Sequence, residues 1–132
     1  MARGILGAVA GLLVWAAVAT LTGIVMRGTW ADYARVADTM TFTLPMMIAR
    51  LTIGALATLA AGRVAAMIGR SMIARVAPGI LLLLLFIPEH VTLWQKFPVW
   101  YHLTFLLSLV PLAYLGGTRI TREATPAVPS RS

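Results

Sequence analysis

The sequence predicts an all-α membrane protein, a bundle of four transmembrane helices with both termini in the cytoplasm. Three observations carry that prediction. The hydrophobic fraction is 60% before glycine is counted and the charged fraction 11%; soluble domains reach about 45–50% apolar with glycine included and about 25% charged. The apolar residues fall into four runs of the length a bilayer requires. The arginines gather between alternate runs, as expected of cytoplasmic loops. A chain of 132 residues is one domain, and lipid is the solvent for most of it.

The first span covers about residues 4–26 and holds no charged residue. At 1.5 Å per residue it is about 34 Å long, enough to cross a bilayer. A rival reading makes it a secretory signal peptide, with Arg3 as the positive region and Ala17-Val18-Ala19 as an A-x-A site. Against cleavage, the apolar run continues through Met26 without a polar break. Gly7 and Gly11 form a small-residue notch on this span.

Residues 27–41 are more polar. Thr29 can cap a helix, with Asp32 three positions on. Trp30, Tyr33, Ala37 and Met40 recur at helical spacing, with Asp32, Arg35 and Asp38 toward the other side. This pattern fits a short helix on the membrane surface or a plain connecting loop.

The second span, about residues 44–68, carries Arg50 and Arg63. At roughly 37 Å it is longer than it needs to be, and a tilted helix keeps both arginines near its ends. Gly54, Thr58 and Gly62 share one face at four-residue spacing, a seam suited to close helix contact in lipid. A basic turn with Arg70 and Arg75 follows. The third span is placed at about residues 78–95, with Pro78 in its first turn. Lys96–Pro98 turns the chain into the fourth span, about residues 99–117, with Pro111 inside and Gly116-Gly117 at its end. Residues 118–132 read as a disordered basic cytoplasmic tail. The segment Met47–Leu51 echoes Met72–Val76, and a glycine follows each arginine by four positions; common residues over so short a match read as coincidence.

Arg3, Arg63, Arg70, Arg75, Arg119, Arg122 and Arg131 fall on one side of this topology, and Arg27, Arg35, Arg50 and Lys96 on the other. The imbalance puts both ends inside. The ten-to-one ratio of arginine to lysine and the abundance of alanine suggest a GC-rich bacterial genome, hence an inner membrane. The net charge of +7 is scattered among apolar runs, with no basic stripe of the kind nucleic acid requires. There is no cysteine, which excludes disulfides and thiolate chemistry. No Gly-rich phosphate loop, HExxH pair or G-x-S-x-G elbow is present.

Ionisable residues at membrane depth are the default places to look for function. Arg50 and Glu89 are each expected about six residues below the outer surface, roughly 9 Å at helical rise. Arg50 has three readings: it snorkels, it forms a structural ion pair with Glu89, or the two make a working site. His90 and His102 are expected near the same edge, hydrogen-bonded at the interface, with proton relay, quinone contact or haem ligation as sharper alternatives. Trp94, Phe97, Trp100 and Tyr101 fit an aromatic belt, and Trp15 is expected to pack. No metal or cofactor is called for. The sequence favours a non-enzymatic helical-bundle protein acting through association, as a homo-oligomer or with a partner membrane protein. The first alternative is a small oligomeric transporter or channel using Arg50 and Glu89, and the second a membrane redox or lipid-enzyme component.

Overall fold

The computed structural model describes residues 1–123, with side chains described through Thr118. Five helices follow in order: α1 (Ala2–Thr29), α2 (Ala31–Val36), α3 (Leu44–Gly69), α4 (Met72–Thr92) and α5 (Val99–Glu123). Among the described residues there is no strand, and α1, α3, α4 and α5 are long and apolar enough to cross a membrane. The chain is thus a four-span helical bundle with α2 as a short cap at one end.

The central element is α3, flanked by α1 on one side and α5 on the other, with α4 closing against α5. Small residues make this possible. Apolar side chains give helices no reason to associate in lipid, so contact depends on close backbone approach and interlocking shape. A Cβ on Gly7 would lie 2.6 Å from the Ala65 carbonyl oxygen, and one on Gly11 would lie 2.8 Å from that of Ala61. On the opposite face of α3, Gly62 meets the Ala113 backbone and Gly116 meets the Leu59 backbone, so α3 and α5 run in direct main-chain contact. Gly79 sets α4 against Leu109 in the same way. The predicted notches on the first and second spans are therefore filled by helices of this same chain.

Three boundaries differ from expectation. The third span begins at Met72, where Ser71 accepts a hydrogen bond from the Ala74 amide at 3.1 Å as N-cap. Pro78 then lies inside the helix and fully buried. Its missing N–H costs one helical bond, and its ring occupies the Gly11 notch, where a Cβ would come within 2.9 Å of Cγ. That helix also stops at Thr92 instead of reaching residue 95. The fourth apolar span, Val99–Thr118, ends where expected, but its helix continues to Glu123, and Gly116-Gly117 is a packing site within α5, Gly117 lying against the Arg75 stem. Of the expected disordered tail, residues 118–123 belong to α5 and residues 124–132 lie outside the described residues.

The segment after α1 is helical for six residues, but Thr29 is not its cap. Thr29 ends α1, donating to the Val25 carbonyl at 2.7 Å, and Trp30 holds the N-cap position of α2. The predicted sidedness holds, with Tyr33 and Ala37 buried and Asp32, Arg35 and Asp38 exposed. Tyr33, Ala37 and Met46 form a small core with Met26, Trp30, Val36 and Phe42 around it. Two exposed ion pairs, Arg27–Asp38 and Asp32–Arg35, add little. The aromatic core is what holds α2 down.

Candidate functional site

Beneath α2 the spans line a half-open cavity of about 500 Å³, within the range of small-molecule sites. Trp15 and Gly23 of α1, Arg50 and Gly54 of α3, Phe86 and His90 of α4, and His102 and Phe105 of α5 are among its lining residues. All four polar candidates from the sequence, Arg50, Glu89, His90 and His102, reach it.

Arg50 does not pair with Glu89. Its Nε donates to the Tyr101 hydroxyl at 3.3 Å and its Nη1 to the Tyr33 hydroxyl at 2.7 Å, while the guanidinium carbon lies 4.7 Å from the centre of the Phe42 ring. Two phenolic oxygens and a π-face thus take the place of a carboxylate. The reason is positional. With α4 ending at Thr92, Glu89 lies three residues from that helix's end, where Arg50 lies six from the start of α3, and its side chain is exposed at the cavity margin. Arg50 has five N–H donors; two are engaged by the tyrosines, and Arg50 lines the cavity.

The histidines meet directly. His90 Nδ1 lies 2.7 Å from His102 Nδ1, and His102 Nε2 lies 3.3 Å from the Trp94 carbonyl oxygen. A carbonyl can only accept, so the His102 proton belongs on Nε2 and its Nδ1 is an acceptor. His90 must then carry its proton on Nδ1 and donate it to His102. In the neutral imidazole that leaves His90 Nε2 as a bare lone pair. His102 is fully buried, stacked on Trp94 at 4.7 Å, whereas His90 lies on the cavity wall between Tyr101 and Phe105.

The expected aromatic belt is divided. Trp94 and Trp100 remain exposed, but Phe97 and Tyr101 are buried, and stacked rings run from Tyr33 through Phe42 and Phe97 to Tyr101. Trp15 packs as expected, 5.0 Å from Phe86, and also donates from Nε1 to Thr58 Oγ1 at 3.1 Å. Of the seam residues, Gly54 faces Phe105 near the cavity, Thr58 binds Trp15, and Gly7, Gly11 and Gly62 are helix contacts. Tyr33, Phe42 and Phe105 are absent from the sequence-derived candidates, and Tyr101 enters there only as a belt residue. Phe97 lies in the turn before α5, so no helical spacing in the sequence links it to Tyr101.

Among the described residues no group of three His, Cys, Asp or Glu side chains is placed to hold a metal ion. The site offers hydrogen-bond donors at Arg50, an acceptor at His90 and aromatic faces between them. Compared with known protein families, curated proteins and solved structures, the chain matches none.

Proposed function

We propose that this protein is a non-enzymatic, multi-pass component of a bacterial inner membrane that binds a small organic molecule in the cavity beneath α2. With the arginine-rich loops in the cytoplasm, α2 faces outward and the cavity lies in the outer leaflet. The observation that carries the reading is the coincidence of the cavity with Arg50, which has no acidic partner among the described residues. A void forfeits packing in its lining, and an arginine at membrane depth costs about 2.5–3.5 kcal/mol on insertion scales. A bound molecule offsets both at one place.

This reading is preferred to an assembly subunit built on the glycine seams, because those seams are filled by the chain's own helices. A transporter using an Arg50–Glu89 pair has less support, because two tyrosine hydroxyls already engage Arg50.

The test is native mass spectrometry of protein released from native-lipid nanodiscs. One small molecule of discrete mass is expected on the wild type. Gly23→Phe should strip it, because Gly23 lines the cavity and a Cβ there meets nothing within 4 Å, so the ring can enter the space. Arg50→Met should lower its occupancy about ten-fold, as expected for a lost charged hydrogen bond. A wild type carrying nothing, or a Gly23→Phe variant carrying the same molecule at the same occupancy, would refute the reading.

A further inference from the structure

Resting on the cavity's being a binding site, we propose that it takes a lipid-soluble phenolic ring of the hydroquinone class, in preference to the matching quinone, and that the ring enters from the bilayer between α1 and α4.

The polarity of the two anchors selects the ligand. Arg50 only donates. Neutral His90 accepts at Nε2, because the Trp94 carbonyl fixes the His102 tautomer and His102 takes the proton on His90 Nδ1. Both anchors abut Tyr101: Arg50 through the hydroxyl at 3.3 Å, and His90 through the ring face at 6.3 Å between centroids. A matching ligand therefore carries an oxygen that accepts from Arg50 and an O–H that donates to His90, on one flat body. A hydroquinone has both. A quinone has two acceptor oxygens, and the one turned to His90 would face a lone pair. A phosphate or carboxylate would satisfy Arg50 but set its remaining oxygens toward the His90 lone pair and the Glu89 carboxyl. The walls suit a ring, since Phe86 and Phe105 pack edge to face at 5.2 Å and Trp15 lies 5.0 Å from Phe86.

The route follows from where α1 and α4 touch and where both line the cavity. They touch at Gly11 against Pro78 and at Trp15 against Phe86. Toward α2 they form facing walls of the cavity, α1 with the small residues Ala19 and Gly23, and α4 with Leu85 and Glu89. Leu85 lines the cavity and is also 64% exposed on the flank of the bundle. The cavity wall is thus continuous with the lipid-facing surface about two turns below the end of α4. An alkyl tail can remain in the acyl chains while the ring occupies the cavity.

The test is a binding titration in nanodiscs, under anaerobic reducing conditions for the hydroquinone and with empty nanodiscs subtracted. The probes are decyl-ubiquinol, decyl-ubiquinone and the dimethyl ether of decyl-ubiquinol, which keeps the ring and tail but has no O–H. The quinol should bind about ten-fold more tightly than the other two, the worth of one well-made buried hydrogen bond. His90→Phe keeps a ring beside Tyr101 and Phe105, and should shrink the preference below about two-fold by weakening the quinol alone. Equal affinity of quinol and ether for the wild type would overturn the proposal, and that comparison needs no variant to fold. So would a preference that survives His90→Phe, or no binding by any probe. If no probe binds, or the quinol binds Gly23→Phe as well as the wild type, while Gly23→Phe still strips the native molecule, the ligand class is wrong and the cavity reading stands; if Gly23→Phe keeps the native molecule, the cavity reading itself has failed.

Discussion

Thr58 couples two helices through one oxygen atom: its hydroxyl donates to the Gly54 carbonyl at 2.7 Å and accepts from Trp15 Nε1 at 3.1 Å. Thr58→Val keeps the shape and removes the acceptor, leaving an indole N–H unbonded at membrane depth. Interhelical hydrogen bonds in membranes average about 0.6 kcal/mol with a maximum near 1.7. A loss in that range is expected in a denaturant titration in detergent, together with a blue shift of Trp15 emission, and Thr58→Ser should restore both. At this scale the sequence singles out polar residues that line one cavity and is poor on what they touch. Arg50, His90 and His102 stand out because they are polar within apolar runs. Arg50's partners lie 17 and 51 positions away, and no periodicity links such separations. Glu89 was mistaken for a partner because its depth was counted from a helix end three residues too far along.

Among elements, glycine is the residue whose role is hardest to read, since it both ends helices and lets them touch. Gly116-Gly117 follows the pattern of a stop and turns out to be a contact, because α5 needs bare backbone where Leu59 approaches. Gly62→Leu or Gly116→Leu should separate α3 from α5 and lower stability by more than about 3 kcal/mol, beyond the usual range for overpacking because the obstacle is backbone. Gly4→Ala has nothing within 4 Å of the new methyl and should be neutral or slightly stabilising. A thermal-shift series across these three variants separates seam from surface. Pro78 was misplaced for a related reason: proline favours a first turn, but here a notch on another helix accommodates its ring, and the true start is marked by Ser71.

For the molecule as a whole, spans and order were legible because hydropathy reports them directly, whereas the cavity depends on where α1 and α4 touch and where both line it. The architecture divides at Arg70–Ser71 into two helical hairpins, α1–α3 and α4–α5, each of which can insert on its own. The faces between them carry the Gly62 and Gly116 contacts and the Gly11 notch that takes Pro78. Co-expression of residues 1–70 and 71–132 as separate chains should therefore give a complex that co-purifies in mild detergent, and Gly62→Leu in the first half should abolish it.

The exposure of Leu85 on the cavity wall bears on what concentration the protein senses. A site entered through its flank equilibrates with the bilayer, so its occupancy follows the mole fraction of the occupant among lipids and not its trace amount in water. An affinity quoted in aqueous molarity would then mostly restate the molecule's oil–water partition coefficient. The discrimination that belongs to the protein is the residual difference between guests of equal lipophilicity, and the Arg50–His90 pair is placed to supply it.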